Sequence, residues 1–232
     1  MLSPDEIQAL QRQPWLASCS APLRDWLLGQ GWRLRLGAGQ PLFERGQPAH
    51  GLCTVLRGAL RVGAVQRDGS ASMLATLAPG QWFGEISLID GLPRTHDAVA
   101  EGPTEVWCLP QQALQDWLEQ HPAAWRDIAR LACAKLRICF EALEDPSQSS
   151  LPARLAKRLL LLVRGHQSEL AEPALSRQRL RLSQEQLAQM LGVSRQSINK
   201  ALGSLAQDGL LALHYGEIEL LDTAGLHELA QG

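Results

Sequence analysis

Apolar positions along the chain change their period twice. In the first thirty residues they recur at helical spacing. Ser3-Pro4-Asp5-Glu6 reads as a helix start, with Ser3 as cap, Pro4 in the first turn and Glu6 three residues after the cap. Ile7 and Leu10 would dock that short helix. A second start falls at Ser20, with Pro22 in its first turn, Leu23, Trp26 and Leu27 on one face, and a stop at Gly29. From Trp32 to Pro110 short apolar runs alternate with glycine and proline: Trp32–Leu36, Pro41–Phe43, Leu52–Leu56, Ala59–Val65 and Ser72–Leu77, with Asp68-Gly69 placed as a hairpin turn. Turns at this interval predict an antiparallel sandwich or barrel. Gly37-x-Gly39 belongs to a turn of that barrel, because no helical pattern follows it as a dinucleotide loop would require.

The helical period then returns. Pro110 to His121 predicts a short helix through Leu114, Trp117 and Leu118, and Pro122 opens a long one that runs to about Glu144. One stripe of the long helix, Trp125, Ala129, Ala132, Leu136, Cys139 and Leu143, has the alternating four- and three-residue spacing of a heptad seam. A second stripe, Ile128, Leu131 and Ile138, would face the barrel. Two apolar faces on one helix predict packing on its own domain and on a partner helix, hence a parallel homodimer. The polar, helix-breaking run Asp145-Pro146-Ser147-Gln148-Ser149-Ser150 is read as a short hinge.

Beyond the hinge come a helix from Pro152 to about Arg164, a short strand at Arg179–Leu182, and a capping box, Ser183-Gln184-Glu185-Gln186. Leu187 to Leu202 has the offsets of a helix-turn-helix: Ala188 small at the helix crossing, Gly192 at the turn, Leu187, Leu191, Val193 and Ile198 in the core, and Ser194 capping the second helix. Leu210–Leu213, a turn at Tyr215-Gly216 and Ile218–Leu221 form a two-stranded wing, and Asp222 caps a last helix. The second helix presents Arg195, Gln196, Asn199 and Lys200 outward, and Ser194 and Ser197 are suited to phosphates. Arg reads guanine O6/N7 and Gln can pair with adenine N6/N7. With Ser183, these residues are the expected DNA contacts.

The densest chemistry lies inside the β region. Trp82-Phe83 reads as a strand end, Gly84 and Glu85 open about one apolar turn (Ile86, Leu88, Ile89), and Asp90-Gly91 and Pro93 break it. Arg94 and Thr95 follow, then a strand-like run at Ala98–Ala100. A glycine entry, a short helix and an Arg-Thr pair make an anion cradle, since a helix N-terminus offers unpaired N–H groups and arginine offers a fork of donors. Glu85 suits sugar hydroxyls better than phosphate. Together they suggest a nucleotide whose phosphate and ribose lie close together, held by Gly84, Glu85, Ile86, Ser87, Arg94 and Thr95.

Gly84-Glu85 followed by Pro93-Arg94-Thr95 resembles the phosphate-binding cassette of cyclic-nucleotide-binding domains. With the helix-turn-helix, nearly the whole chain resembles the CRP/FNR family of bacterial transcription regulators. That resemblance implies that Glu85 takes a ribose 2′-OH, that Arg94 takes a cyclic phosphate, and that Thr95 also touches the phosphate. It further implies cAMP as ligand, a palindromic double-stranded DNA site, a homodimer, and RNA polymerase as a partner. Relatives often carry Arg-Glu where Arg195-Gln196 stands and Arg in place of Lys200, so the half-site should differ. Cys139 and Phe140 occupy the positions where cAMP-responsive relatives place Thr and Ser against the adenine. Either the base is stacked rather than hydrogen-bonded, or the ligand is not cAMP, or there is none.

Composition changes this picture little. A net charge of −2 argues against a globally basic nucleic-acid binder. From Ser147 onward, however, Lys and Arg number nine against eight acids, leaving the acidic excess to the first part. No run approaches the ~18 apolar residues of a membrane span, and the acidic N-terminus has no signal-peptide pattern, so the cytoplasm is expected. Cys19, Cys53, Cys108, Cys133 and Cys139 are read as free buried thiols, spaced too widely for an iron–sulfur cluster. His50 and His96 are isolated, which disfavours haem, and no catalytic motif is present.

The expected architecture is α+β. Residues 1–121 form a jelly-roll, cyclic-nucleotide-binding-like sensor built on an antiparallel β-barrel, 122–145 a dimerisation helix, and 146–232 a winged helix-turn-helix. The expected function is a dimeric, ligand-controlled transcription regulator. The alternatives are a regulator whose sensor is vestigial or answers to haem or redox, and a cyclic-nucleotide module that controls a protein partner.

Overall fold

A computed structural model describes residues 1–65, 71–143, 150–166, 178–180 and 182–231. The expected Asp68-Gly69 turn and nearly all of the expected hinge lie outside the described residues. The chain divides into two compact units, Met1–Ser70 with Leu74–Leu136, and Arg137–Gly232 with Ala71–Met73.

The first unit opens with three helices, α1 (Pro4–Gln11), α2 (Pro14–Ser18) and α3 (Ala21–Gly29). Ser3 and Glu6 close the predicted capping box: Glu6 N–H donates to Ser3 Oγ at 3.3 Å, and Ser3 N–H to Glu6 Oε2 at 2.8 Å. Such a cap is worth ~1 kcal/mol. Ser20 stands at the cap of α3 but makes no side-chain cap; its N–H donates instead to Asp127 Oδ2 at 3.0 Å. The five-residue α2 is too short to show a period in the sequence, and it is pinned by Trp15 Nε1 donating to the Asp127 carbonyl at 2.8 Å.

Eight strands follow: β1 (Trp32–Leu36), β2 (Pro41–Phe43), β3 (Cys53–Arg57), β4 (Leu60–Val65), β5 (Ala71–Leu77), β6 (Trp82–Phe83), β7 (Asp97–Ala100) and β8 (Thr104–Cys108). They pair as two four-stranded sheets, ordered β1-β8-β3-β6 and β2-β7-β4-β5. The expected antiparallel jelly-roll is thus built as two facing sheets, not as a closed barrel. No ladder joins the sheets among the described residues. They are held face to face by Leu36, Phe43, Val55, Leu60, Phe83 and Val106. β8 was not anticipated as a strand. It is central and covered on both faces, so Val106, Trp107 and Cys108 are all buried and the expected alternation disappears. Trp107 belongs to a second core with Leu16, Leu23, Leu27, Leu114 and Ile128, and its Nε1 donates to the Leu27 carbonyl at 3.0 Å. α4 (Glu85–Asp90) lies between β6 and β7 in sequence, and α5 (Gln111–Gln120), a 3₁₀ turn (Pro122–Ala124) and α6 (Trp125–Leu143) come after β8.

The second unit contains α7 (Leu151–His166), β9 (Gln178–Leu180), α8 (Gln184–Leu191), α9 (Arg195–Gln207), β10 (Leu211–His214), β11 (Glu217–Leu220) and α10 (Thr223–Gln231). Its core includes Leu155, Leu159, Leu187, Ile198, Leu202 and Leu226. The expected two-stranded wing is present as β10-β11, and β9 extends it to a three-stranded sheet, with Leu180 paired to Ile218 and buried there. Asp222 caps α10 as expected, accepting from Gly225 N–H at 3.0 Å.

Candidate ligand cassette and nucleic-acid interface

The cassette begins at Gly84, which has φ of 100° and caps α4. A side chain is excluded there twice over. That φ disfavours any L residue, and a Cβ would stand 2.6 Å from the Gly51 carbonyl oxygen and 2.7 Å from Arg94 Nη1. Glycine thus lets the chain pass close over the arginine. Arg94 is only 4% exposed although it ends a loop. Its Nη2 donates to the Gly51 carbonyl at 2.8 Å, and its guanidinium lies 4.3 Å from the centre of the Phe43 ring. Arg94 Nε is buried without a partner. Burial pulls Arg94 below the usual arginine range, while Cys53, Glu85 and Cys108 push back.

Glu85 is 2% exposed, and its Oε2 accepts from Lys135 Nζ on α6 at 2.8 Å. Ser87 is buried, and its carbonyl accepts from Gln111 Nε2 at 3.0 Å. Ile86 and Thr95 are exposed, with Thr95 Oγ1 3.0 Å from His96 Nδ1. The cradle is therefore a buried Arg94 and a buried Glu85 under an exposed rim. At six residues α4 is too short to supply much dipole, so countercharge for an anion falls to Arg94. A cyclic phosphate fits this arrangement, since one of its oxygens would complete Arg94 Nε, a donor that is costly to leave unpaired. A sugar hydroxyl would share Glu85 with Lys135. A groove of about 500 Å³ lined by Gly39, Pro41, Glu44, Arg45, Asp97 and Val99 contains neither Glu85 nor Arg94, and its mixed charges do not favour an anion. Among the described residues no cluster of three or more His, Cys, Asp or Glu could hold a metal ion.

In the second unit, α8 closes its predicted box through Ser183 Oγ, which accepts from Gln186 N–H at 3.1 Å. It ends at Gly192, whose φ of 66° turns the chain toward α9 as glycine allows. Ser194 caps α9 by accepting from Ser197 N–H at 3.1 Å, and its hydroxyl is 2.8 Å from that of Ser197. Ile198, Ala201, Leu202 and Leu205 bury the inner face of α9. Arg195, Gln196, Asn199 and Lys200 stand exposed on the other face, beside exposed Ser183 and Ser194 and half-buried Ser197. Asn199 Oδ1 lies 3.5 Å from Gln184 Nε2, which ties the reading face to α8. The expected contacts are thus gathered along α9 and the start of α8.

Known proteins match both halves of this arrangement. The family model of the cyclic nucleotide-binding domain matches residues 33–121, and that of the Crp-like helix-turn-helix domain matches residues 153–229. The chain is 30% identical to a protein of Thermus thermophilus named cyclic AMP receptor protein, over 84% of this chain and 86% of the relative. The chain belongs to the CRP/FNR family. A transcriptional regulator of that family from Thermus thermophilus has a crystal structure that is 30% identical and covers 87% of this chain and 99% of its own, with a TM-score of 0.56. FixK2 from Bradyrhizobium japonicum, 22% identical, shares the fold with a TM-score of 0.72 over 86% of this chain and 96% of its own. As a family member the chain is a transcription regulator with a cyclic nucleotide-binding domain and a DNA-binding helix-turn-helix.

The seam residues of this CRP/FNR protein are placed unevenly on α6. Ala129, Leu136 and Cys139 are exposed and Ala132 is half-buried, whereas Trp125 packs on the core that holds Ile128 and Leu131. Leu143 is in α6, but its side chain lies outside the described residues. Cys133 and Phe140 are exposed beside Leu136, which corrects the reading of all five cysteines as buried: Cys133 and Cys139 are exposed, and Cys19, Cys53 and Cys108 are buried. Sequence reasoning missed Phe43, Gly51 and Lys135 as parts of the cassette. None carries a local motif, and each reaches the site from a distant element.

Proposed function

We propose that this regulator is a homodimer that binds a palindromic double-stranded DNA site under control of a cyclic nucleotide held by Arg94 and Glu85. The observation that carries this reading is the buried Arg94, whose Nε lacks an acceptor while Glu85 lies beside it under the same cassette. A fixed guanidinium with a spare donor is pre-set for a phosphate oxygen. The name of the Thermus thermophilus relative supports cAMP. Arg195, Gln196, Asn199 and Lys200 would read base edges in the major groove, with Ser183, Ser194 and Ser197 on phosphates. The dimer would form through the exposed face of α6, and its two α9 helices would meet half-sites one DNA turn apart. RNA polymerase would be recruited at such a site, in the cytoplasm.

A second reading, a regulator with another ligand or none, is favoured by two features. Glu85 is already engaged by Lys135, and Cys139 and Phe140 offer the adenine no hydroxyl. The deciding experiment is calorimetric titration of the full chain with cAMP, cGMP and a cyclic dinucleotide, followed by DNA binding with and without each. Binding by any of them that raises palindrome affinity by roughly 5–150-fold supports the first reading. Equal affinity in every case transfers support to the second.

A further inference from the structure

We propose that Cys53 and Cys108 form a redox-active dithiol behind the cassette, closing to a reversible cross-strand disulfide when a hydroperoxide oxidises them. β3 and β8 are antiparallel, and Cys53 stands directly opposite Cys108 in their register. Both side chains belong to the core between the sheets, so both leave the same face. The ladder decides how close they come. Leu109 N–H donates to the Leu52 carbonyl at 2.9 Å, which makes the neighbouring Leu52–Leu109 position the hydrogen-bonded one. Val55 N–H donates toward β6, to the Gln81 carbonyl at 3.4 Å, which fixes the same alternation from the other edge of β3. Cys53 and Cys108 are therefore a non-hydrogen-bonded pair. In such pairs the Cα atoms sit ~4.5 Å apart and the side chains approach most closely. That spacing falls within the ~4.4–6.8 Å that a disulfide spans.

The surroundings separate the roles of the two sulfurs. The neighbouring sulfur pushes Cys53 well above the usual thiol range and holds Cys108 below it. Arg94 favours the thiolate of each, and burial opposes it. Cys108 is therefore the nucleophile and Cys53 the resolving thiol. The Cys108 thiolate attacks the terminal peroxide oxygen, the O–O bond breaks, and the departing oxyanion takes a proton and leaves as water from hydrogen peroxide or as an alcohol from an organic hydroperoxide. The Cys53 sulfur, giving up its proton, then attacks the Cys108 sulfenic acid. The S–S bond forms, the S–O bond breaks, and the departing hydroxide takes that proton and leaves as water. Two electrons pass from the two thiols to the peroxide. The site is joined to the cassette through the backbone, since Gly51, whose carbonyl holds Arg94, lies two residues before Cys53.

The test uses the full chain, reduced and then treated with hydrogen peroxide. Remaining thiols are alkylated after unfolding, and a non-reducing digest is examined by mass spectrometry. The expected result is a linked pair of peptides carrying Cys53 and Cys108, lost on treatment with dithiothreitol, with the wild-type protein still folded. Cys53→Ser should trap oxidation at Cys108 as a sulfenic acid that dimedone labels. The wild-type digest does not depend on how that variant folds. Quantitative alkylation of Cys53 and Cys108 after peroxide has oxidised the exposed Cys133 and Cys139 would overturn the proposal. A disulfide joining any other pair in their place would overturn it too.

Discussion

Lys135→Met removes the cation that faces the Glu85 carboxylate and leaves most of the lysine's bulk. The two groups are 2.8 Å apart; the Glu85 side chain is 3% exposed and that of Lys135 35%. Stripping one partner from a fully buried pair costs ~3–5 kcal/mol, because a charge is left in a poor solvent. Here a third of the lysine already meets water, which would reach part of the vacated space. We therefore expect a loss of roughly 1–3 kcal/mol. All seven tryptophans lie between positions 15 and 125, so tryptophan fluorescence during urea unfolding follows the first unit without contribution from the second. Glu85→Gln and the double variant complete a cycle, and the pair should show a coupling of about 1 kcal/mol or more. Lys135→Met within ~0.5 kcal/mol of wild type, together with a coupling near zero, would refute the argument that α6 is tied to the cassette by this ion pair.

Arg94→Ala should cut cyclic-nucleotide affinity by at least about tenfold in calorimetry, since a charge-assisted hydrogen bond contributes ~1.5–3 kcal/mol; unchanged affinity would remove Arg94 from the phosphate. Leu136→Asp sets a charge on the exposed face of α6 opposite its symmetry mate and should yield monomers by light scattering, whereas a persistent dimer would move the interface elsewhere. Arg195→Ala should cost ~1–3 kcal/mol at a single guanine of the operator, while a uniform loss over all operator variants would make it a phosphate contact. Glu6, hydrogen-bonded by Arg33, is held down to about 2 from an ordinary value of 4.5. Its stabilisation is thus whole above about pH 4.5 and is lost as pH falls toward 2. Glu6→Gln should remove ~1–2 kcal/mol at neutral pH and flatten that acid limb in tryptophan-monitored unfolding. An acid limb as steep as that of wild type would count against it.

What the sequence made legible was local. Gly84, Glu85 and Arg94 lie within one short stretch, and so do Ala188, Gly192, Ser194 and Ile198, so fixed offsets alone identify the cassette and the helix-turn-helix. The partners that complete the cassette are remote. Arg94 and the Gly51 carbonyl are 43 positions apart, and Glu85 and Lys135 are 50 apart. Such pairs follow from the backbone pairing of Arg94 with the Gly46-Gln47 segment and from the docking of α6, and no window of sequence contains either. β8 was hidden for a related reason. A strand buried on both faces loses the alternation by which strands are recognised, and only its pairing with β1 and β3 defines it. On α6 the heptad spacing was visible, but its phase was not. Ala129, Cys133, Leu136 and Phe140 follow the same four-and-three alternation as the stripe through Trp125 and Ala132, and periodicity cannot rank two stripes that share residues. Burial of Ile128 and Leu131 fixes the rotation of the helix, drawing Trp125 into the core and turning Cys133 and Phe140 outward with Leu136. A dimer built on α6 would then pack along Ala129, Cys133, Leu136 and Phe140. Leu136 lies in both stripes, which makes it the position where a charge tests the dimer whichever phase is used.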